Sequence, residues 1–487
     1  MTNSVQGKKN DMKLVYRKRS TKLGRCLVFT LISIVIAVFG DDGLPGFLDD
    51  DLNYTFGYGS ESQVYVKGLR NKAATHITIP ATVIYRYYDY YYDDSGHRVD
   101  VVKYRTCTVM EIDYGASFTS SALESLTIAD GVKGGIYGWL SGCDSLKSVT
   151  IGNGITFISR MAFRGCSSLE HVTIGNGLKI IGDHAFERCA NLANVVMGND
   201  VRSIEQGAFS GCFSLMSMTV PNSVTNLGDY AFETCTNLTT VTIGNGVKSI
   251  GSGVFSSCYN LTNMAIPNVV TNIGGAAFKY CRSLTSVTIP DNVKSIGIGA
   301  FWGCSGLTEV MIGRGVTTIS DEAFVYCSGL RSFQVAGGNP SYKTVSGMLL
   351  TKDGIELAFG LNGDLEIPNC VEKIWDEAFR GYNVTSLIIP SSVTTIEPWA
   401  FYDCRKLSKV DFQGSPPVFN GNFYHSVGCI GTYTAEHTTE WEAVIDENGY
   451  WHGLNMSRYE PSPLTLSASD GTEPGGIEVT WTGGGCE

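Results

Sequence analysis

The sequence lacks the short motifs on which most enzymes and metal sites depend. Its 487 residues contain no H-E-x-x-H, no G-x-S-x-G, no P-loop and no G-x-G-x-x-G that opens a predicted helix. None of its 15 cysteines forms the C-x-x-C pair typical of zinc sites. The seven histidines, at positions 76, 97, 171, 184, 425, 437 and 452, are scattered. No catalytic centre, metal or cofactor is therefore predicted.

Positive charge is also scarce outside the first 40 residues. The chain has 36 Lys and Arg against 47 Asp and Glu, and residues 1–40 hold eight of the basic and one of the acidic residues. The remainder therefore carries 28 basic and 46 acidic groups. A body this acidic, without a basic stripe, argues against a nucleic-acid partner. With 43% apolar residues and only 14 prolines, the composition is that of a globular chain.

Long apolar runs are absent too. The run CLVFTLISIVIAVFG (26–40) follows the basic KLVYRKRSTKLGR and is shorter than the ~20 residues of a membrane span. A basic segment before a short apolar run predicts a secretion signal over residues 1–40, cleaved before Asp41. An uncleaved amino-terminal anchor is the alternative, and it would be the only contact with a membrane.

One repeated unit dominates the rest of the chain. Cysteines stand 23 residues apart from Cys143 to Cys327, with a Phe three residues before and a Leu three residues after most of them. A lone unit buries too few apolar side chains to fold, so its neighbours must cover it, and the period lies in the leucine-rich-repeat range. Within a unit, the alternation in LTSVTIP (284–290) predicts a half-buried strand, VKSI a second extended piece and GAFWGC one helical turn.

The pattern resembles the BspA-like leucine-rich repeats of bacteria, whose units read L-x-x-V-x-I-P-x-x-V-x-x-I-G-x-x-A-F-x-x-C. The resemblance runs from about Ala122 to Phe412. It implies a mainly β repeat solenoid with short helical turns, wound as a right-handed leucine-rich-repeat solenoid of about 23 residues per coil with a parallel strand face. One unit departs from the pattern, because Tyr382 stands where cysteine is expected.

The segments around the repeats divide the chain further. The predicted order is a signal or anchor at 1–40, a linker at 41–63, irregular capping repeats at 64–121, leucine-rich repeats at 122–335, an insertion at 336–366 that resembles the family's hairpin insertion, further repeats at 367–413, a C-terminal cap at 414–460 and the start of a fibronectin- or immunoglobulin-like domain at 461–487.

Two aromatic segments at the ends of the array are predicted to cover it. The tyrosines of YRYYDYYYDDSGHR (85–98) predict a hairpin that turns at 93–96 and covers the first coil, with a recognition surface as the alternative. Trp441 and Trp451 are expected to seal the last coil, with a sugar platform as the alternative.

The repeated aromatic and sulfur positions are predicted to form the core. They are Cys143, Phe163, Cys166, Phe186, Cys189, Phe209, Cys212, Phe232, Cys235, Phe255, Cys258, Phe278, Cys281, Phe301, Cys304, Phe324 and Cys327. Equivalent side chains of stacked strands stand about 4.8 Å apart, and that separation exceeds the usual Cβ distance of a disulfide. The cysteines are therefore expected to be free thiols that pack as small apolar groups. Oxidation stays open for Cys107, Cys370, Cys429 and Cys486.

The outward positions of the predicted strands carry small polar side chains. They are Ser148, Thr150, His171, Thr173, Asn194, Ser217, Thr219, Thr240, Thr242, Asn263, Ser286 and Thr288. Threonine suits a pleated strand whatever its function, but solenoids also bind partners on such faces. Both interpretations stay open at this point. Because His171 has no acid or base beside it in the pattern, the face predicts binding rather than catalysis.

Composition and resemblance together predict an exported binding protein that is not an enzyme. The resemblance implies adhesion, at the bacterial cell surface or after secretion, to an extracellular protein of a host or neighbouring cell, with a glycan as another ligand. A passive spacer or targeting arm of a larger modular exported protein, with or without an attached enzyme, is the alternative.

Overall fold

The computed structural model describes residues 12–14, 46–47, 52–56, 63–70, 72–92, 98–117, 122–423, 425–426 and 428–459. The predicted sandwich start at 461–487, and the predicted signal or anchor apart from the strand Met12–Leu14, lie outside the described residues. Within the described part, no helix is long and apolar enough to span a membrane. The chain forms two compact units, Met1–Leu238 and Thr239–Glu487.

The first unit opens with a mixed sheet of mostly antiparallel strands. These strands are Met12–Leu14, Gly46–Phe47, Leu52–Phe56, Gln63–Leu69, Thr82–Tyr92 and Arg98–Ser117. The last two form the hairpin expected from the tyrosine-rich stretch, with Tyr92 paired to Arg98, and its turn lies outside the described residues. Phe56 packs edge-on against Tyr85, with ring centroids 4.8 Å apart.

This sheet corrects two of the predicted boundaries. The linker predicted for 41–63 is wrong at Leu52–Phe56, because Leu52 is fully buried and pairs with Leu69 in the sheet. The irregular repeats predicted for 64–121 are present only in part. His76–Ile79 joins the repeat sheet, whereas 82–117 leave it as the long hairpin. Short alternating stretches do not reveal which sheet a strand will join, since that depends on its partner strand.

Two parallel sheets run through the repeats of the first unit. The long strands His76–Ile79, Ser125–Ile128, Ser148–Ile151, His171–Ile174 and Asn194–Val196 form one sheet, and the next long strand, Ser217–Val220, lies outside it. The short strands are Gly134–Ile136, Ile155–Ile158, Ile180–Ile181, Ser203–Ile204 and Asn226–Leu227. Residues 23 apart are strand partners, as Val149 and Val172 are, and both are buried. One 3₁₀ helix, Gly138–Leu140, follows the first short strand.

The A-F-x-x-C corner closes each coil with turns instead of the predicted helical turn. The N–H groups of Phe186 and Arg188 donate to the carbonyls of Ala208 and Ser210 in the next coil, both at 2.8 Å, while the Cys189 N–H bonds back to Phe186 at 3.2 Å. Arg188 adopts a left-handed conformation, φ 59°. An α-helix needs every N–H to bond four residues back, so donation between coils at alternate residues excludes it.

The second unit continues the same design. Its long strands are Thr240–Ile243, Asn263–Met264, Ser286–Thr288, Glu309–Ile312, Ser332–Val335, Gly363–Glu366, Val384–Ile389, Lys409–Phe412, Ile430–Tyr433 and Leu454–Arg458. Its short strands are Ser249–Ile250, Asn272–Ile273, Ser295–Ile296, Thr318–Ile319, Lys373–Ile374, Thr395–Ile396 and Val418–Phe419. The predicted parallel-strand solenoid is confirmed in both units.

An antiparallel hairpin interrupts the repeats of the second unit. Tyr342–Val345 pairs with Met348–Thr351, which pairs in turn with Glu356–Phe359. That last strand then pairs in parallel with Lys373–Ile374, and Gly363–Glu366 already pairs in parallel with Val384–Ile389. The repeat sheets therefore resume before position 366, the predicted end of the insertion, because the glycine-interrupted stretch at 360–363 hides the start of the next strand.

Tyr382 takes the place of the cysteine in the unit around Phe379. In a regular coil the thiol donates to the Phe carbonyl of the preceding coil, as Cys304 does to Phe278 with Sγ to O at 3.1 Å. The fully buried Tyr382 hydroxyl instead donates at 3.0 Å to the carbonyl of Phe324, 58 residues earlier. The longer phenol thus makes the thiol's hydrogen bond across the place where the hairpin is inserted.

Two tryptophans close the C-terminal end of the second unit. Here a 3₁₀ turn, Ala435–His437, leads into the helix Thr438–Glu442, and Tyr450–Trp451 pairs antiparallel with Leu454–Arg458. Trp441 is fully buried, donates its Nε1–H to the Gly414 carbonyl at 2.9 Å and lies 4.7 Å from the Phe412 ring. Trp451 is 5% exposed. Burial of both rings excludes a sugar platform here.

Candidate functional site: the long-strand face

The outward side chains of the long strands form a regular face in the first unit. Residues Thr150, His171, Thr173, Asn194, Ser217 and Thr219 are exposed, and Ser148 is half-buried. The strand register places Ser148 beside His171 and Thr150 beside Thr173. Partner residues on adjacent strands lie about 4.8 Å apart, so the face presents rows of hydroxyl, amide and imidazole groups.

The structure extends this face beyond the residues predicted to form it. Thr78 pairs with Thr127, and Thr127 with Thr150, so that one threonine row crosses four adjacent strands to Thr173. In the neighbouring row, which contains Ser148 and His171, His76 Nδ1 lies 2.7 Å from Ser125 Oγ. The irregular spacing between residues 76 and 125 hid these positions in the sequence. The alternation of polar and apolar residues in HITIP (76–80), which matches that of the later strands, could have indicated that Thr78 belongs to this face.

The second unit carries its own part of the predicted face. Thr240, Thr242, Asn263, Ser286 and Thr288 are exposed there. Thr240 pairs with Asn263, while Ser286 pairs with Glu309. This part is more mixed than the face of the first unit, because a glutamate and the side chain of Met311, 40% exposed, enter it.

Apolar side chains interrupt the polar rows at defined places. In the first unit Val196, 52% exposed, takes the position beside Thr173, and Met216, 62% exposed, precedes the strand Ser217–Val220. Exposed apolar groups among small polar ones give a contact surface both area and hydrogen-bonding groups. The arrangement therefore suits binding to a broad partner.

The predicted core residues lie beneath this face. All seventeen are at most 3% exposed. The phenylalanine rings stack face to face: Phe163 and Phe186 have centroids 5.0 Å apart and an interplanar angle of 1°, and Phe278 and Phe301 are 5.1 Å apart at 9°. The stacked rings form a buried column through the coils of each unit.

The cysteine ladder is a buried structural element. Its nine members, together with Cys404 and Cys429, are buried free thiols, while Cys370 is disulfide-bonded. Burial raises the pKa of the Cys235 and Cys304 thiols to about 12. A protonated, buried thiol is a poor nucleophile and metal ligand. No group of three metal-ligating side chains is placed to hold an ion among the residues that the structure describes.

His171 has no catalytic geometry. Its Nε2 lies 3.8 Å from the Glu170 carboxylate, and both side chains are more than half exposed. An exposed pair at that distance is weak. The long-strand face therefore offers contact area and hydrogen bonds, the properties of a binding surface on a leucine-rich-repeat solenoid.

Comparison with known families agrees with this class. The model of the BspA type leucine-rich repeat region matches residues 111–239, 226–342 and 362–438 in six copies, which is more than half of the chain. The chain belongs to the BspA type leucine-rich-repeat family. Proteins built from these repeats are generally protein-interaction scaffolds, typically non-enzymatic, and are generally surface or secreted proteins of bacteria.

One similar solved structure shows the same fold. A leucine-rich repeat protein from Bacteroides ovatus ATCC 8483 is 21% identical over 85% of this chain and 100% of its own, with a TM-score of 0.51. A leucine rich cell surface protein from Faecalibacterium prausnitzii A2-165 is 24% identical over 77% and 97%, with a TM-score of 0.34. The T. pallidum leucine rich repeat protein is 22% identical over 57% and 87%, with a TM-score of 0.28. No curated protein matches the chain.

Proposed function

We propose that this chain is an exported bacterial adhesin that binds an extracellular protein of a host or neighbouring cell through the long-strand face. The observation that carries the proposal is the in-register threonine row Thr78–Thr127–Thr150–Thr173. Because the paired strands fix the backbone and the threonine side chains are short, little conformational entropy is lost when a partner binds.

Export is part of the proposal. It is supported by the basic segment and the apolar run 26–40 at the amino terminus and by the family's usual location. The strongly acidic body further suits a surface protein that must not adhere to nucleic acid.

The test is a binding screen of the full chain against immobilised extracellular-matrix and cell-surface proteins, with glycans in parallel. The variant Thr150→Arg/Thr173→Arg places two long cationic side chains on neighbouring strands of the row. The matched control, Thr225→Arg/Thr271→Arg, makes the same change at exposed threonines that precede short strands. Circular dichroism and the unfolding midpoint establish that both variants fold.

Binding that is lost in the face variant and kept in the control supports the adhesin. Equal binding by the two variants contradicts the face assignment. If the well-folded chain binds no protein or glycan, the adhesin proposal fails and the spacer or targeting arm becomes the better account.

A further inference from the structure

A second candidate surface lies on the A-F-x-x-C corner of the second unit, outside the long-strand face. Aromatic and cationic side chains collect there at variable positions of the repeat, either between the Phe and the Cys position or directly after the Cys. We call the following six residues the aromatic–cation row: Tyr280, Arg282, Trp302, Tyr326, Arg380 and Tyr402.

The repeat does not require these residues. Between Phe and Cys, the corresponding first positions in the first unit are Arg164, Glu187, Ser210 and Glu233. The consensus Phe, Cys and Leu recur in both units, so the core is satisfied equally well without aromatic residues at the variable positions. The stability of the coil therefore does not explain why aromatic residues collect in the second unit.

Glycines in alternate coils let the tyrosine rings lie flat along the row. A Cβ at Gly303 would stand 2.5 Å from the Tyr280 ring, and a Cβ at Gly381 would stand 2.1 Å from the Tyr326 ring. Each tyrosine thus covers the glycine of the following coil. The Trp302 ring centroid lies 5.5 Å from that of Tyr326.

Cations are held against these rings. The Arg282 guanidinium lies 4.9 Å from the Tyr259 ring centroid and 5.7 Å from that of Tyr280. The Lys279 ammonium lies 5.3 Å from the Tyr280 ring and 5.2 Å from the Trp302 ring. Contact with ring faces stabilises each cation in one position, so its N–H donors are oriented before any partner arrives.

Arg380 lies between two aromatic residues of the row, Trp302 and Tyr402. Its guanidinium lies 5.1 Å from the ring centroids of both Trp302 and Tyr402, and it forms an ion pair with Glu377. Asp403, nearly buried, accepts from Arg405 at 2.7 Å and lies 2.9 Å from His425 Nδ1. Asp403 and one carboxylate oxygen of Glu377 are thereby paired with neighbouring side chains.

Two cationic side chains of this surface are not neutralised by an acidic side chain of the described residues. Lys279 and Arg282 contact rings but form no ion pair with any residue that the structure describes. The exposed Arg282 and the half-buried Lys279 place positive charge on the surface of a chain of net charge −11, and this local charge attracts an acidic partner.

We infer that the aromatic–cation row binds an acidic segment of a partner protein, one that carries apolar side chains among its carboxylates. Trp, Tyr and Arg are the residues that dominate protein–protein hot spots, and a guanidinium held flat suits bidentate contact with a carboxylate. An acidic polysaccharide would match the charge, but it lacks the apolar side chains that would cover the exposed part of Tyr259 and the rings beside it.

The experiment uses the full chain and three immobilised polymers: a random copolymer of glutamate and tyrosine, polyglutamate and polygalacturonate. We expect the strongest binding to the copolymer, and a loss of about tenfold or more on raising NaCl from about 0.05 M to about 0.5 M. The variant Lys279→Gln/Arg282→Gln should reduce copolymer affinity by about tenfold, because two solvent-accessible ion pairs with the carboxylates are lost.

The matched control is Lys294→Gln/Arg331→Gln, which removes the same two charge types from exposed positions elsewhere in the second unit. It should bind as the unchanged chain does, with circular dichroism showing that both variants fold. Equal losses in variant and control would overturn the proposal, as would the absence of binding to every polymer. Polygalacturonate binding as tight as that of the copolymer would overturn the assignment to a protein partner.

This inference and the adhesin proposal fail separately. The variant Thr150→Arg/Thr173→Arg, which alters the long-strand face, should keep its affinity for the copolymer. Loss of copolymer binding in that variant would place the site on the long-strand face and overturn the assignment to the row.

Discussion

The substitution Phe209→Ala tests whether the stacked rings hold the coils of the first unit together. Phe209 is fully buried and lies between two parallel rings, with centroids 5.2 Å from Phe186 at an interplanar angle of 4° and 5.4 Å from Phe232 at 5°. Truncation of a buried Phe costs about 3–5 kcal/mol, of which each lost ring pair contributes about 0.5–1.5 kcal/mol.

The coil has little freedom to close the cavity, because the Phe209 N–H donates at 2.8 Å to the Ala231 carbonyl of the next coil. The loss should therefore fall in the upper part of that range. Urea unfolding followed by circular dichroism measures it from the shift in midpoint. The control is Phe213→Ala, four residues later in the chain and 45% exposed, which should cost less than about 1 kcal/mol. A loss below about 1 kcal/mol for Phe209→Ala, or equal losses for the two, would refute the argument.

Three further predictions concern the thiols, the substituted coil and the turns. Because burial raises the pKa of Cys235 and Cys304 from an ordinary 9.0 to about 12, the unfolded chain loses these protons first, so stability is full below about pH 9 and falls as the pH rises towards 12. The unfolding midpoint measured against pH should show this fall, and the fall should be less steep in Cys235→Ala/Cys304→Ala. A flat profile would contradict the prediction. A thiol reagent should label the ladder only after denaturation. Tyr382→Phe removes the 3.0 Å donor from the Phe324 carbonyl, which keeps the Cys327 N–H at 3.2 Å, and should cost about 0.5–1.5 kcal/mol in urea unfolding. Tyr230→Phe, at a side chain that is 39% exposed, should change little, and equal effects would argue against the hydrogen bond. Gly177→Ala places a Cβ 1.6 Å from the Asn153 carbonyl oxygen, whereas a Cβ at Gly337 meets nothing within 4 Å. Gly177→Ala should therefore lower the free energy of unfolding by at least about 1–3 kcal/mol, and Gly337→Ala should change it little. Thermal unfolding of the two variants measures the difference.

The periodic part of the fold was predictable because each coil repeats one local problem. Val149 and Val172 are buried because alternation places them on one side of a strand, and the 23-residue period makes them neighbours. The same reasoning placed Phe209 and Cys212 in the core and Thr150 and Thr173 on the outer face of the strand. Equivalent positions meet equivalent surroundings, so the interpretation of one unit holds for the others.

Where the period breaks, local pattern was not sufficient. Leu52–Phe56 was assigned to a linker, since nothing in its five residues reveals that Leu69 is its strand partner. The corner was expected to be helical, although its N–H groups bond to the next coil, a choice that depends on neighbours absent from the local sequence. The threonine row reaches Thr78 only because a long hairpin leaves the solenoid between two adjacent strands.

By itself, the sequence determined the coil, its buried ladder and the side of each strand that faces solvent, because these depend on spacing within a single unit. Only the tertiary structure decided how Tyr382 reaches Phe324 across the inserted hairpin. It also decided how variable residues from separate coils, among them Tyr280, Trp302 and Arg380, gather into one surface. Those contacts join residues tens of positions apart, and their geometry is set by the stacking of coils, which the period predicts only where it is unbroken.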